Sequence, residues 1–277
     1  MPRLGICPAT LVADPLVCTA DELRRALDAA AGAGFDSLSW WAMHDGVLGP
    51  RAADEIRERG LTVGALEMAA GWAAGDEHAI DRELAAMAPI AEAFSPEVMV
   101  AVVLHPTIDD HRAAAAGLAR VGEWASALGM QVALEFLPWT AVASIGDAQR
   151  LLDAADHPAC GLLLDTWHWA RQPTGSDLGQ LDPIDLRRVV YVQLDDAPAD
   201  PVIDVLFDET LRHRLVPGEG AVDLVGLLSA VLASGADPYI APEVFNRDMI
   251  AAGPASMAER IAAGTREVLA AAGWDPA

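Results

Sequence analysis

The chain has 277 residues and carries 41 acidic against 18 basic side chains, which gives a formal charge of −23 at pH 7. All 18 basic residues are arginines. The absence of lysine excludes a Schiff-base aldolase, a pyridoxal phosphate enzyme and a P-loop nucleotidase, because each needs a lysine amine. The negative charge disfavours nucleic acid and anionic membrane surfaces as partners. We therefore expect a small-molecule substrate.

Cysteine usage and the absence of long apolar runs indicate where the protein works. Cys7, Cys18 and Cys160 form neither a CxxC pair nor an even framework, which is typical of a reducing compartment. The first residues lack the pattern of a signal peptide, and the apolar run 98–104 is too short to cross a bilayer. We therefore predict a cytoplasmic protein that does not bind membranes. A hydrophobic content of 53% leaves apolar surface for a homo-oligomer.

Short apolar runs alternate with alanine-rich helical stretches along the whole chain. Runs such as VMVAVVL and GLLLD are apolar throughout, as in parallel strands that are buried on both faces. Eight strands are predicted, at Leu4–Cys7, Ser37–Trp41, Thr62–Glu67, Val98–Leu104, Gln131–Phe136, Gly161–Asp165, Val189–Leu194 and Tyr239–Val244. Eight strand–helix units predict an α/β fold, a single (β/α)8 TIM barrel whose one domain covers residues 1–277.

Helix signals separate the predicted strands. Thr19 and Glu22 form a capping-box pattern before a helix that Gly32 and Gly34 end. Further N-terminal signals stand at Asp76, Asp110 and Ser144. The longest span without regular structure is predicted at 195–220, and a long loop in a compact barrel is more often functional than not.

Polar residues end the last four predicted strands, and the active site of a TIM barrel lies at this carboxyl end. These residues are Glu135, Asp165, Gln193 and Glu243. Three converging carboxylates repel one another unless a cation compensates them. Carboxylate and amide oxygens favour Mn²⁺ or Mg²⁺, with Zn²⁺ or Co²⁺ as alternatives. The four residues are therefore predicted to bind one divalent metal ion.

With these residues in place, the chain resembles the sugar isomerase/epimerase superfamily, which has a xylose isomerase-like TIM barrel. Members of that superfamily bind one divalent metal through Glu, Asp, His and Glu on the last four strands. Glu135, Asp165 and Glu243 match this motif, whereas Gln193 stands where histidine is usual. The resemblance implies a metal-dependent enzyme that acts on a polyol, a keto-sugar or a related hydroxy-ketone.

Gln193 also resembles the 3-dehydroshikimate dehydratase branch of the same superfamily. Three further segments share this likeness, at 135–139, 212–220 and 243–246. The N-terminal third departs from that branch, because Trp40 and Trp41 end the second strand where the branch tends to carry a carboxylate. The likeness places a dehydratase, which is a lyase, beside an isomerase among the expected activities.

The predicted metal site implies a common first step. A bound cation polarises a substrate carbonyl, and a carboxylate can then remove the proton from the adjacent carbon. Glu135 and Glu243 lie on strands separated by two others, so we expect these two catalytic residues to flank the metal. Two bases suit an isomerase or epimerase, whereas one base and loss of hydroxide give a dehydratase. A non-catalytic metal-binding barrel is a further alternative, while a zinc-cluster DNA repair endonuclease is disfavoured because the seven histidines are scattered.

Three histidines and one arginine are candidates for contact with substrate. His168 stands in DTWH, which resembles the superfamily's D-x-x-H motif and indicates a catalytic acid or base, with a packing role as the alternative. Arg214 precedes a P-G-x-G segment and is expected to hold substrate oxygens with its planar fork. His213 adjoins it, and His105 ends the fourth predicted strand.

One carboxylate and the tryptophans complete the predicted pocket. Glu67 ends the third strand and is expected to bind a substrate hydroxyl, with an ion pair to an arginine of a neighbouring strand as the alternative. Six of the eight tryptophans stand at or just after strand ends, among them Trp40 and Trp139. This clustering predicts an apolar-walled pocket for a substrate with an apolar or aromatic part, and ordinary packing between strands and helices is the alternative.

Overall fold

Eight parallel strands form a barrel in the computed structural model, which describes residues 4–274. They follow one another in chain order and comprise β1 Gly5–Ile6, β2 Ser37–Trp41, β3 Thr62–Ala69, β4 Val98–Val102, β5 Gln131–Glu135, β6 Cys160–Asp165, β7 Val189–Leu194 and β8 Tyr239–Pro242. A parallel bridge between Leu4 and Ile240 joins the last strand to the first. The predicted (β/α)8 TIM barrel is therefore confirmed.

The strands β2 and β7 have their predicted bounds, and the other strands differ from prediction at their ends. The strand β3 continues to Ala69, whereas β4 and β8 end at Val102 and Pro242. The apolar run of β4 continues beyond Val102 into the loop at the carboxyl end of the barrel. Leu104, for example, leaves the ladder and is 50% exposed.

Side chains alternate along each strand and form two separate apolar layers. Val100, Val102 and Leu163 belong to the cluster inside the barrel. Met99 and Leu162 belong to the larger cluster between the barrel and its helices. The same alternation decides which polar residues reach the interior at the carboxyl end.

Tyr239 fills the opposite, amino-terminal end of the barrel. Its hydroxyl donates to Ser37 Oγ at 3.0 Å. A Cβ atom at Gly5 would lie 1.8 Å from the Tyr239 hydroxyl oxygen, and one at Gly64 would lie 2.4 Å from its ring. Both strands therefore need glycine there, and the tyrosine closes this end of the barrel.

The helices surround the barrel and begin close to the predicted signals. They are α1 Ala20–Gly32, α2 Ala42–Leu48, α3 Ala52–Glu58, α4 Glu77–Phe94, α5 His111–Ala127, α6 Ile145–Ala155, α7 Thr166–Arg171, α8 Leu206–Thr210, α9 Leu224–Ala233, α10 Arg247–Ile250 and α11 Pro254–Ala271. Short 3₁₀ turns lie at Pro8–Leu11, Gly49–Arg51, Gly71–Ala74, Leu178–Leu181 and Leu186–Arg188. The capping box of Thr19 and Glu22 is present, and Asp76, Asp110 and Ser144 accept hydrogen bonds from the first turns of their helices.

The span 195–220 is more ordered than predicted, because it contains α8 and is held by one side chain. The Asp196 carboxylate accepts hydrogen bonds from the backbone N–H groups of Gly218, Gly220 and Val222 at 2.9 to 3.1 Å. A Cβ atom at Gly220 would lie 2.3 Å from Asp196 Oδ1. Glycine is thus required where the P-G-x-G segment folds against the end of β7.

Within residues 4–274, no helix combines the length and the apolar character needed to cross a membrane.

Candidate metal centre and cavity

The four residues predicted as metal ligands come together at the carboxyl end of the barrel. Glu135 ends β5, Asp165 ends β6, Gln193 lies in β7 and Glu243 follows β8. Their exposed fractions are only 0 to 6%. Strand alternation explains the convergence, since Gln193 pairs in register with Asp165, and both side chains point into the barrel mouth.

The Gln193 amide faces two carboxylates. Its Nε2 donates to Glu67 Oε1 at 3.3 Å, and its oxygen lies 3.1 Å from Glu135 Oε1 and 3.2 Å from Asp165 Oδ2. Two orientations of the amide fit these distances. With its nitrogen toward Glu135 and Asp165 the amide donates to both carboxylates, and with its oxygen toward them it completes a set of oxygen ligands around a cation. A rotated amide would lose the bond to Glu67. The oxygen-rich donor set therefore fits a divalent ion such as Mg²⁺ or Mn²⁺.

Negative charge exceeds positive charge around these oxygens. Five carboxyl groups are buried here, at Glu67, Glu135, Asp165, Asp195 and Glu243, and Arg214 is the one cationic side chain that lines the cavity within residues 4–274. Burial and the charge of Asp165 raise the pKa of Glu135 well above its usual value. Burial and the charge of Glu67 do the same for the pKa of Glu243. A bound divalent cation would oppose both shifts and compensate the excess charge.

Arg214 is buried among the carboxylates rather than free to meet a substrate. Its Nη1 donates to Asp165 Oδ2 at 2.7 Å, to Glu243 Oε2 at 3.4 Å and also to Asp195. Its Nε and Nη2 donate to Thr210 Oγ1 at 3.0 and 2.7 Å. The contacts support charge compensation as the role of Arg214, and its contact with substrate oxygens stays a prediction.

His168 adjoins the same oxygens from the start of α7. Its Nε2 lies 3.2 Å from Glu135 Oε1 and 3.6 Å from Asp165 Oδ2, while its backbone N–H donates to Asp165 Oδ1 at 2.7 Å. Burial lowers the pKa of His168 to about 3, so the imidazole is neutral at pH 7. Ligand atoms of Glu135, Asp165 and His168 all lie within 4.8 Å of one another, whereas Glu243 lies outside this group and contacts Arg214 instead. The neutral ring could thus serve either as a metal ligand or as a substrate contact.

Glu67 takes part in a hydrogen-bond network rather than in an ion pair. Its Oε1 accepts hydrogen bonds from Ser39 Oγ, from Tyr191 Oη at 3.4 Å and from Gln193 Nε2 at 3.3 Å. No arginine forms a salt bridge with it among the described residues. Glu67 lines the cavity and contacts the Gln193 amide.

The structure places three predicted substrate contacts away from the cavity lining. Trp40 is fully buried and packs against His44 and Phe94, because its position in β2 points outward, toward the helices. Trp41, its neighbour in sequence, points inward and lines the cavity. His105 lies in the exposed loop after β4, and His213 pairs through its backbone with Asn246. Trp139, by contrast, lines the cavity as predicted.

A family model described as a xylose isomerase-like TIM barrel matches residues 27–270 of the chain. The chain belongs to this family. Membership agrees with the parallel barrel and with the polar residues at the ends of its last four strands.

Curated relatives align with about half of this xylose isomerase-like barrel. A 3-dehydroshikimate dehydratase from Pseudomonas putida is 34% identical over 128 residues, which are 46% of this chain and 19% of that protein. An inosose isomerase from Bacillus subtilis is 30% identical over 130 residues, which are 46% of this chain and 45% of that protein. These matches thus span less than half of the length of each relative.

Solved structures share the fold of this family member over its whole length. A crystal structure described as the IolI protein with a zinc atom covers 100% of both chains, with a TM-score of 0.82 and 21% identity. An L-ribulose 3-epimerase covers 99% of this chain and 96% of its own, with a TM-score of 0.70 and 19% identity. At such identities the likeness shows the fold alone.

Several cavity residues of this xylose isomerase-like barrel were not among the predicted site residues. Asp195 follows Gln193 by two positions and therefore points to the same side of β7, a signal that alternation could have revealed. Phe207 and Thr210 come from α8, inside the span that was predicted to be irregular. Met68 follows Glu67 directly. Their place in the cavity depends on how the loops fold, which strand periodicity does not encode.

Proposed function

We propose that this protein is a divalent-metal-dependent isomerase or epimerase that moves a proton on the carbon next to a carbonyl of a hydroxy-ketone. The observation that supports it most directly is the cluster of buried carboxyl groups on Glu135, Asp165 and Glu243, for which Arg214 is the one cationic side chain in the cavity lining within residues 4–274. The isomerase and epimerases among its relatives favour the same class of reaction.

The metal ion would be held by Glu135, Asp165, Gln193 and Glu243, with His168 as an alternative ligand. When bound, it would supply a Lewis acid that polarises the substrate carbonyl. Oxygen donors favour Mg²⁺ or Mn²⁺, whereas the zinc atom named for the IolI structure points to Zn²⁺.

Glu243 is the best candidate for the base. Its Oε1 is buried and accepts no hydrogen bond from an N–H or O–H group of residues 4–274, and the buried Cys7 thiol lies beside the carboxylate, so this oxygen can accept a substrate proton. Glu135 lies on β5, across the barrel mouth from Glu243, and can return a proton to the opposite face of the carbon. His168 can donate a hydrogen bond to a substrate oxygen from its neutral ring.

A metal-dependent dehydratase is the second candidate, and the 34% identity to a 3-dehydroshikimate dehydratase favours it. A substrate that carries a carboxylate needs a cationic partner in the pocket. Arg214 is the cation of the described cavity lining, and protein carboxylates and Thr210 already use its donors. The contacts therefore favour a substrate without a carboxylate and support proton transfer over this dehydration.

Metal analysis and proton exchange together test the proposal. We expect about one divalent ion per chain, and metal-dependent exchange of the α-proton of 1-hydroxypropan-2-one for deuterium in D₂O, followed by ¹H NMR. The Glu243→Gln variant should lose exchange, whereas Glu219→Gln, on a surface carboxylate paired with Arg260, should retain it. Release of water from the β-hydroxy-ketone 4-hydroxybutan-2-one, without exchange of the α-proton of 1-hydroxypropan-2-one, would favour the dehydratase. The absence of metal binding would contradict both candidates.

A further inference from the structure

Exposed apolar side chains gather at the entrance of the cavity. Ten large apolar residues are exposed within residues 4–274, and half of them line this one cavity of about 300 Å³. They are Leu16, Met43, Met68, Leu104 and Phe207, each 44 to 50% exposed, and we call them the apolar collar. Exposed apolar patches on soluble proteins mark binding sites for apolar surfaces.

The collar is continuous with the candidate metal centre. The Trp139 ring packs edge-on against Phe207 of the collar, with ring centroids 5.8 Å apart. The same ring packs edge-on against His168, with centroids 5.3 Å apart. A molecule that meets the carboxylates with one end therefore lies along Trp139 and reaches the collar with the other.

The cavity lining between the candidate metal centre and the collar has few polar groups that could bind a substrate. The charged and hydroxyl groups that line the cavity belong to Glu67, Glu135, His168, Thr210, Arg214 and Glu243, and the indole N–H groups of Trp41 and Trp139 add two donors. The Thr210 hydroxyl is bound by Arg214, and the charged groups form the centre itself. A polyol carries a hydroxyl on nearly every carbon, and burying each one without a partner is costly.

We propose that the substrate is a hydroxy-ketone with an apolar alkyl or aryl substituent that fills the collar, rather than a free sugar. The proposal rests on the proposed function for the reacting end of the molecule. The preference for the other end comes from the collar and from the small number of polar partners along the cavity lining.

A series of ketones with one reacting end tests this preference. The compounds are 1-hydroxypropan-2-one, 1-hydroxybutan-2-one and 1-hydroxyhexan-2-one, with D-fructose and erythrulose as polyol counterparts. We expect kcat/KM for α-proton exchange in D₂O to rise roughly fourfold for each added methylene that the collar buries. Faster exchange of the two sugars than of the alkyl ketones would overturn the proposal.

Two leucine variants test whether the rise of kcat/KM with chain length depends on the collar. Leu104→Ser removes an apolar group from the collar and should flatten the rise with chain length. Leu128→Ser removes a leucine of similar exposure, 42% against 50%, outside the cavity lining, and should preserve the rise. Equal slopes in both variants would overturn the proposal. In the competing case the collar is an interface between copies of the chain. Sedimentation of both variants would then show that only Leu104→Ser dissociates an oligomer, and kcat/KM would not rise with chain length.

A binding measurement separates this proposal from the proposed function. If none of the ketones exchanges, the proposed reaction is contradicted, and calorimetric titration with the alkyl ketones decides the role of the collar. Affinity that rises with chain length and falls in Leu104→Ser would support an apolar ligand. Affinity that is independent of chain length would overturn it.

Discussion

Arg214 Nη1 lies 2.7 Å from Asp165 Oδ2, the same carboxylate oxygen that lies 3.2 Å from the side-chain amide of Gln193. One oxygen is thus shared between a fixed cation of the protein and the predicted metal ion. The arginine limits repulsion among the carboxylates, and a bound metal ion would compensate the charge that remains. The two cations should therefore stabilise the protein through the same set of groups.

Replacing Arg214 should be strongly destabilising. Arg214→Met leaves Asp165, Asp195 and Glu243 buried without their cation, and we expect a loss of about 3–5 kcal/mol in the free energy of unfolding. Divalent metal should recover more stability in this variant than in the parent protein. Urea unfolding with and without Mn²⁺ measures both effects. Arg212→Met, which removes an exposed partner of Asp208, should change stability by less than about 1 kcal/mol, and equal losses in the two variants would contradict the argument.

Gln193 should control metal affinity. Gln193→Leu removes one of the four predicted metal ligands, and we expect the affinity for Mn²⁺ to fall at least about tenfold. Gln193→His should retain most of the affinity and shift preference toward Zn²⁺, because imidazole suits that ion. Calorimetric titration with each ion measures this. The control is Gln180→Leu on the exposed turn after α7, which should leave the Mn²⁺ affinity unchanged. An unchanged affinity in Gln193→Leu would mean that the amide has a purely structural role.

The fold was predictable because most of its signals are local. Continuous apolar runs predicted all eight strands, and the side chains of Thr19, Asp76 and Ser144 predicted where their helices begin. The ends of the strands were less predictable, because they depend on how far each neighbour stays in register. The run at 98–104 is apolar beyond the end of β4 at Val102, and sequence alone does not show where pairing stops.

The candidate site was predictable where strand alternation applies. The four predicted metal ligands converge since each stands at the end of a strand, although metal binding itself stays a prediction. Trp40 was assigned to the wrong side of β2, and alternation with Ser39, which contacts Glu67, could have corrected this. The positions of His105 and His213 depend on loops, and the engagement of Arg214 by Asp195 depends on contacts between distant segments.

Gly220 should be essential for the loop that carries Arg214. A Cβ atom there would meet Asp196 Oδ1 at 2.3 Å and Ala197 O at 2.4 Å, so Gly220→Ala must displace the loop from β7. We expect a loss of about 1–3 kcal/mol in the free energy of unfolding. Gly46→Ala is the matched control, since a Cβ atom in that exposed helical position meets nothing within 4 Å. It should stabilise α2 by about 0.5–1 kcal/mol, and a harmless Gly220→Ala would contradict the packing argument.

His44 should make stability fall below neutral pH. It is fully buried beneath Trp41, its Nε2 lies 3.3 Å from Pro15 O, and burial lowers its pKa. The unfolded chain then binds a proton more readily than the folded chain once the pH falls below about 6.5, so stability decreases in that direction. Between pH 7 and pH 5.5, the parent protein should lose about 1 kcal/mol more than His44→Gln does. Urea unfolding at the two pH values measures this difference. His78→Gln replaces an exposed histidine and should retain the parent's pH dependence of stability. If His44→Gln also retained it, the loss of stability at low pH would come from other groups.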